Sequence, residues 1–260
     1  IARDHEHFLG TDIIGIAEQK AGIMRPETPC FSAGQTAEVA SALQSFADKI
    51  GAPLMIAGRD FEIRASADGG GKLISPENRI DFPPPGLAGA HQIDNAGLAL
   101  MALQATRPYT ADGIANARWP GRVQHIDNGA LADAWPHHQI WLDGAHNAHG
   151  AHALANTLSG IQDGKWNIIC GALNTRDPAE FLAPIAPLAG RVACLTIPDQ
   201  DASLSAAEMR DAAKAQGLNA SAAATLATAF DSLDPSLPVI ICGSLYLAGH
   251  VLLQNKTLPD

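Results

Sequence analysis

Apolar and amphipathic segments alternate along the second half of the chain. Short continuous apolar runs have the length of buried strands, and the segments between them repeat apolar residues at helical spacing. The predicted strands are residues 139–143, 167–171, 191–197 and 238–243. The predicted helices are residues 150–158, 178–188, 205–216, 225–233 and 245–254. Apolar strands that alternate with helices indicate a mostly parallel sheet covered on both faces, so we predict an α/β fold.

The first half of the chain has shorter and more varied segments. Residues 60–75 have the pattern of two short strands joined by a flexible turn at residues 67–71. An apolar strand is predicted at residues 54–58. The predicted helices are residues 12–22, 35–50 and 91–105. This half therefore also mixes helices and strands, without the regular alternation of the second half.

The composition permits two compact domains. The chain has 260 residues, of which 47% are hydrophobic and 17% are charged, so it can bury a substantial core. Pro120, Gly121 and Arg122 interrupt the hydrophobic pattern. We therefore predict one domain at residues 1–123 and a second domain at residues 124–260.

Charge and cysteine content narrow the classes of function. Seventeen Lys and Arg residues against 27 Asp and Glu residues give a formal net charge of −10, which opposes a nucleic-acid backbone. Three of the four cysteines lie in apolar runs, a pattern typical of buried thiols in a reducing cytosol rather than of a disulfide framework. The sequence has no apolar run of membrane-spanning length and no secretion signal. We expect a cytoplasmic protein that binds neither nucleic acid nor a membrane.

Polar motifs follow three of the predicted strands. Asp143 and His146 come after the first of them, residues 171–177 after the next, and Gly243 and Ser244 after the last. Because parallel strands end at one edge of a sheet, where ligands bind, we predict a functional site there. His146, His149 and His152 cannot all share one helical face, because three residues advance about 300° and six about 600° around a helix, so at most two of them could act together. We interpret His149 and His152 as residues of the helix surface.

Other motifs have more than one interpretation. Residues 4–7 (DHEH) are of metal-ligand types, but such a run is also typical of a solvated turn. Residues 69–72 (GGGK) lack the spacing and the helix of a phosphate-binding loop and indicate a hairpin turn. Arg122 either contacts phosphate or forms a surface ion pair. Ser244 is a typical helix N-cap, and a lone helical lysine such as Lys20 usually faces solvent.

Seven motifs in order carry a resemblance to one family. They are DHEHFLG, AEQKAGIMRPETP, AHQIDNAGLALMAL, WPGRVQ, WLDGAHNAHG, GALNTRDP and ICGSLYLAGH. Together they resemble folylpolyglutamate synthase/dihydrofolate synthase, within the Mur ligase superfamily. The resemblance implies the rear part of a P-loop-type ATPase domain, followed by a Rossmann-like C-terminal domain that binds glutamate.

The resemblance also implies a reaction. Members of this family are ATP-dependent ligases that add L-glutamate to dihydropteroate or to folate polyglutamates through an acyl phosphate. ATP and Mg²⁺ are the implied cofactors, L-glutamate and dihydropteroate or folate are the implied substrates, and a monomer is the implied assembly. The motifs do not separate dihydrofolate synthase from folylpolyglutamate synthase activity.

Site residues are implied where the motifs match. His5 matches a Mg²⁺ ligand, and Lys20 matches a lysine that becomes carbamylated and so supplies the anionic oxygen that Mg²⁺ prefers. The positions that match nucleotide-contacting residues are Asn95, Arg122 and Asp143. The positions that match the glutamate pocket are His146, which we also expect to be catalytic, and Ser244.

The sequence departs from the family pattern in one missing motif and at two residues. No P-loop lies within the 260 residues, so we expect this chain alone not to hydrolyse ATP productively. The chain begins with Ile1 rather than Met, which predicts missing upstream sequence. Arg176 and Ala148 stand where lysine and proline are common in the family.

Three alternative functions stay open at this point. One is a non-catalytic protein that binds a nucleotide or folate, and another is a Mur-type amide ligase with a different acceptor. The third is a metal-dependent hydrolase built from the histidines and Asp143, which would need three or four ligands around one ion.

Overall fold

A computed structural model describes residues 1, 10, 12–105 and 110–257. The chain divides into two compact units, Ile1–Arg118 and Trp119–Asp260. The predicted boundary, between residues 123 and 124, lies slightly later in the chain. His5, a predicted metal ligand, lies outside the described residues.

The first unit begins with two helices and a small parallel sheet. The elements are α1 (Ile13–Ala21), β1 (Cys30–Ser32), α2 (Ala37–Ile50) and β2 (Leu54–Ile56). Strands β1 and β2 pair in parallel, with Cys30 opposite Leu54. Val39, Leu43 and Ala47 recur at helical spacing and form the buried face of α2, which shares a core cluster with residues of α1. The predicted helices at residues 12–22 and 35–50 are thus confirmed.

The rest of the first unit is an antiparallel sheet packed against a long helix. The elements are β3 (Glu62–Ala65), β4 (Gly71–Ile74), β5 (Arg79–Phe82), α3 (His91–Gln104) and α4 (Asp112–Asn116). Strands β3 and β4 form a hairpin whose turn contains the glycine run, so the prediction of a turn rather than a phosphate-binding loop is confirmed. Helix α3 packs against β3 closely, since a Cβ at Gly97 would overlap the side chain of Ile63.

The second unit contains one six-stranded sheet. The strands are β6 (Gln124–Ile126), β7 (Ile140–Leu142), β8 (Trp166–Cys170), β9 (Ala189–Cys194), β10 (Asn219–Ala222) and β11 (Val239–Cys242). Their order in the sheet is β10-β9-β8-β11-β7-β6. Strand β6 is antiparallel to its neighbour, and the other pairs are parallel. The predicted α/β fold with a mostly parallel sheet is confirmed.

Helices connect the strands of this sheet. They are α5 (Ala130–Ala134), α6 (Ala148–Ile161), α7 (Pro178–Ile185), α8 (Ala206–Ala215), α9 (Leu226–Asp231) and α10 (Leu245–Asn255). Polar side chains accept backbone N–H groups at the N-termini of five of these helices; the capping residues are Asn147, Asp177, Ser205, Thr225 and Ser244. Every residue of β8 and β11 is buried, as their continuous apolar sequences predict.

The structure differs from the prediction at several elements. The predicted helix 178–188 ends as an α-helix at Ile185 and continues as a 3₁₀ turn, Ala186–Leu188, where Pro187 has no N–H to donate. The predicted strand 191–197 is observed as Ala189–Cys194. Strand β10 was not predicted, because its sequence (NASA) contains no apolar run. In the described part of the chain, no helix is long and apolar enough to cross a membrane.

Candidate functional site

The loops that follow β7, β11 and β8 meet at the carboxyl edge of the sheet in the second unit. These strands are neighbours in the order β7-β11-β8, so the residues after them lie side by side. Backbone hydrogen bonds join two of the loops: the Asp143 N–H donates to the Ile241 carbonyl, and the Gly243 N–H donates to the Ala145 carbonyl, each at 2.9 Å. The strand-end motifs predicted from the sequence are therefore brought together.

Close backbone contact explains the glycine after β11. Gly243 has a φ of +108°, and a Cβ on it would lie 2.6 Å from the Gly171 carbonyl oxygen. A side chain would thus be strained by the backbone conformation and would push apart the ends of β8 and β11. Glycine at this position lets the two loops approach each other.

Asp143 is buried and bonded to backbone. Its side chain accepts the Val123 N–H at Oδ2, at 2.9 Å, and the Ala145 N–H at Oδ1, at 2.7 Å. The residue is 6% exposed. Its carboxylate therefore connects the loop after β7 to the segment that precedes β6.

Arg122 lies in a tight turn in that preceding segment. The residues on either side of it have positive φ angles, +68° at Gly121 and +43° at Val123. The Gly144 N–H donates to the Gly121 carbonyl at 2.8 Å, and the Gly121 N–H donates to Gln124 Oε1 at 3.0 Å. Arg122 is exposed. The turn thus displays a guanidinium beside the loop that contains Asp143.

His146 has a defined tautomer in its neutral form. Its Nδ1 lies 2.8 Å from the Gly144 carbonyl oxygen, which can only accept a hydrogen bond. Nδ1 therefore carries the proton, and Nε2 is the acceptor of the ring. His146 is half-buried and precedes α6, whereas His149 and His152 lie on that helix and are exposed, as predicted.

Ser244 is the N-cap of α10. Its Oγ accepts the Tyr246 N–H at 3.1 Å, and the residue is 3% exposed. The helix-cap interpretation is confirmed. The N-terminus of a helix also favours an anion, because its first N–H groups have no partner within the helix.

Buried thiols underlie this edge of the sheet. Cys194, Cys170 and Cys242 end three adjacent strands in register, and the Sγ atoms of Cys170 and Cys194 are 4.0 Å apart. Burial, followed by the nearby charge of Asp143, raises the pKa of Cys242 well above its usual range. These cysteines are free and buried, as the apolar runs around them predict.

Two further predicted site residues belong to the first unit. Lys20 is an exposed residue in the last turn of α1. Asn95 lies on α3, where its Nδ2 donates to Gln92 Oε1 at 3.0 Å. Asn95 also lines a cavity of about 390 Å³ that is mainly apolar and has Ala96, Leu100 and Ile114 among its walls. Such a volume lies within the range of ligand cavities, about 300–1,000 Å³.

A metal-dependent hydrolase would need three or four ligands around one ion. Within residues 1, 10, 12–105 and 110–257, no group of three or more His, Cys, Asp or Glu residues could hold a metal ion. Asp143 instead accepts hydrogen bonds from two backbone N–H groups, and His146 donates to a carbonyl.

Comparison with known proteins identifies the second unit. Residues 121–245 match the family model of the Mur ligase, glutamate ligase domain. Residues 121–245 of this chain thus form a Mur ligase glutamate ligase domain. The match covers the Arg122 turn, the loops after β7 and β8, and the N-terminus of α10. The predicted superfamily is confirmed.

Folylpolyglutamate synthases are similar to nearly the whole chain. Folylpolyglutamate synthase of Lacticaseibacillus casei is 28% identical over 273 residues, which cover 99% of this chain and 61% of that protein. A structure of Mycobacterium tuberculosis folylpolyglutamate synthase, complexed with ADP and AMPPCP, is 26% identical with a TM-score of 0.82 and covers 100% of this chain and 63% of that chain. This homology supports the resemblance seen in the motifs.

A Yersinia pestis structure extends the comparison to ligands. It is a bifunctional folylpolyglutamate synthase/dihydrofolate synthase with Mn, AMPPNP and L-glutamate bound, 25% identical with a TM-score of 0.79. The alignment covers 97% of this chain and 59% of that one. The chain thus spans about three-fifths of the length of the relatives it matches.

Proposed function

We propose that this chain acts in an ATP-dependent ligase that joins L-glutamate to dihydropteroate, to folate polyglutamates, or to both. One observation carries the proposal. Arg122, His146 and Ser244 lie on loops at one edge of the sheet. Hydrogen bonds to the Asp143–Ala145 loop connect these loops. Within this proposal, residues 1–123 belong to an ATPase domain and residues 124–260 form the glutamate-binding domain of a cytoplasmic monomer.

The reaction sets the demands on these residues. ATP, with Mg²⁺, supplies the phosphoryl group that turns the acceptor carboxylate into an acyl phosphate, with release of ADP. The amine of glutamate then attacks the acyl carbon, which forms the amide and releases phosphate. Such a reaction depends on neutralised phosphate charge and on alignment of the reacting groups. The protein must also bind an anionic amino acid despite its net charge of −10, so positive potential has to be local.

Arg122 can neutralise phosphate charge. Its guanidinium is exposed on a turn whose backbone is held at Gly121 and Val123. A guanidinium presents paired N–H donors that match two phosphate oxygens, and it keeps its charge at any physiological pH. We assign Arg122 to a nucleotide phosphate.

His146 and Ser244 suit the amino-acid substrate. Because His146 Nδ1 donates to the Gly144 carbonyl, Nε2 can accept an N–H from the glutamate ammonium and take its proton before the amine attacks. Ser244 lies at the N-terminus of α10, where backbone N–H groups favour a carboxylate. We assign these two residues to glutamate, with His146 as a catalytic residue.

The first unit suits the nucleotide base and the metal. The apolar cavity beside Asn95 can accept a flat base, with the Asn95 amide supplying hydrogen bonds at its rim. We assign Lys20, in its carbamylated form, and His5 to Mg²⁺. The exposed position of Lys20 leaves its amine accessible to carbon dioxide.

The test is ADP release from Mg²⁺-ATP by the full-length gene product. Release should require both L-glutamate and a pteroate or folate acceptor. Release that needs neither substrate, or no release at all, would leave only a nucleotide-binding relative. Release that needs glutamate and a different acceptor would instead indicate another Mur-type amide ligase.

Asparagine variants test the role of His146. His146→Asn keeps an N–H donor near the Gly144 carbonyl and removes the Nε2 acceptor, so glutamate-dependent ADP release should fall by at least about a hundredfold. His149→Asn, on the exposed face of α6, is the matched control and should leave the rate unchanged. Equal rates in the two variants would contradict the assignment.

A further inference from the structure

The backbone conformation of Val123 needs an explanation. Its φ of +43° lies in the left-handed region, which a β-branched residue rarely adopts. Val123 is also buried, at 7% exposed. A residue held in this region persists only where the surrounding structure determines it.

Asp143 and the residue after it make the contacts that hold this conformation. Its Oδ2 accepts the Val123 N–H at 2.9 Å in a buried setting, and the next residue, Gly144, donates its N–H to the Gly121 carbonyl at 2.8 Å. The two bonds hold the residues on both sides of Arg122. A hydrogen bond from a backbone N–H to a buried carboxylate is among the stronger kinds in proteins.

We propose that Asp143 is a positioning residue that holds the Arg122 turn in its strained conformation and so directs the Arg122 guanidinium to phosphate. The contact of Arg122 with phosphate rests on the proposed function. The hold of Asp143 on the turn rests only on the Asp143–Val123 hydrogen bond. The carboxylate acts through the Val123 peptide group. The bond also explains why a valine is tolerated where glycine would be expected.

Substitution with asparagine isolates the hydrogen bond. Asp143→Asn has the same shape but only one acceptor oxygen for the two N–H groups of Val123 and Ala145, so one bond is lost. Amide hydrogen exchange at residue 123 should accelerate about tenfold or more, the expected effect of one buried hydrogen bond. Asp234→Asn is the matched control. Asp234 Oδ1 also accepts a backbone N–H, that of Ser236 at 3.0 Å, but in an exposed loop.

A second substitution distinguishes positioning from direct ligand contact. Val123→Gly removes the cost of positive φ, so the turn should keep its shape without the bond from Asp143. Val123→Ala loses the same side-chain branches but retains a Cβ. We therefore expect ADP affinity, weakened in Asp143→Asn, to recover in the double variant with Val123→Gly and not in that with Val123→Ala.

The experiment measures ADP binding and amide exchange on the same proteins by NMR, with the Arg122 Nε–H signal as reporter. Equal weakness of Asp143→Asn and its Val123→Gly double variant would overturn the proposal and show that Asp143 acts on the ligand directly. If the parent chain does not bind ADP, the proposed contact of Arg122 with phosphate fails. Amide exchange at residue 123 then tests only whether Asp143 holds the turn, and unchanged exchange in Asp143→Asn would refute that role. If Asp143→Asn fails to fold, the Val123→Gly double variant should still fold, and its failure would count against the proposal.

Discussion

The side chain of Asn255 accepts the backbone N–H of Leu131 in a buried hydrogen bond of 2.8 Å between residues 124 positions apart. The Nδ2 group of the same side chain donates to the Asn128 carbonyl at 2.9 Å. Asn255 is 1% exposed. The side-chain amide of Asn255, at the end of α10, therefore pairs with two backbone groups at the start of α5 and in the loop before it.

Asn255→Ala should destabilise the second unit. It leaves the Leu131 N–H and the Asn128 carbonyl without this partner in a buried place, which should cost roughly 2–4 kcal/mol of unfolding free energy. Urea denaturation measures the change. The adjacent Gln254→Ala, at an exposed position, should alter stability by less than about 0.5 kcal/mol. A similar loss in both variants would show that the Asn255 bonds contribute little.

Gly243→Ala should weaken both stability and the candidate site. The substitution places a Cβ at a φ of +108° and 2.6 Å from the Gly171 carbonyl oxygen, which should cost at least about 2 kcal/mol. Gly249→Ala in α10 is the control, because a Cβ there meets nothing within 4 Å. The control should stabilise the protein by about 0.5–1 kcal/mol, since alanine is the better helix former. Thermal denaturation of the two variants should therefore shift in opposite directions.

The buried thiol of Cys242 should make stability depend on alkaline pH. Burial raises the pKa of Cys242 in the folded protein, whereas the unfolded thiol ionises near its ordinary pKa of about 8.5. The contribution to stability is thus fully present below that pH and is lost as pH rises towards the folded pKa, with a limiting slope of about 1.4 kcal/mol per pH unit for one thiol.

Unfolding free energies between pH 7.5 and pH 10 test this dependence. Cys242→Ala should show a shallower decline than the parent protein. Cys30→Ala, at a half-buried position where burial raises the pKa less, should change the slope less. Parallel curves for the parent and Cys242→Ala would mean that this thiol does not control the pH dependence.

Lys20 should react with carbon dioxide if it is the carbamylated metal ligand. With ¹³C-bicarbonate, the full-length gene product should show a carbamate signal by NMR that disappears in Lys20→Gln. Lys49→Gln is the matched control, because Lys49 is an exposed lysine in the last turn of α2, as Lys20 is in α1. A signal that survives Lys20→Gln would remove Lys20 from the metal site.

Arg122→Lys should weaken ADP binding about tenfold, because lysine keeps the charge but cannot form the paired contact with phosphate. Arg64→Lys, on the exposed hairpin of the first unit, is the control and should bind ADP like the parent. Titration calorimetry measures both. Unchanged affinity in Arg122→Lys would indicate that Arg122 does not bind a nucleotide phosphate.

The sequence allows prediction of the parts of the fold that local patterns determine. Strands β8 and β11 have continuous apolar sequences, and the helices between strands have caps and apolar spacing, so both classes of element were predicted. Strand β10 was missed because only its pairing with β9, from Asn219 opposite Arg191 onwards, makes it a strand. Sequence patterns carry no information on such a pairing.

The candidate site was predictable only in its positions along the chain. The rule that parallel strands end at one edge brings Asp143, His146 and Ser244 together without knowledge of any contact. The left-handed conformation of Val123 was not predictable, because it depends on a bond to Asp143, twenty residues away. The glycine that precedes Arg122 was the available signal of a special turn.

The position of β11 has a consequence for synthesis of the protein on the ribosome. Among the described residues it is the last strand along the chain, yet it lies between β7 and β8 near the middle of the sheet. Until residues 239–242 leave the exit tunnel, β7 and β8 have no partner along their facing edges, and the nascent chain holds two separate pieces of sheet. Such unpaired apolar edges favour binding by chaperones and aggregation. Loss of the last strand would thus leave a chain that can neither complete its sheet nor conceal those edges.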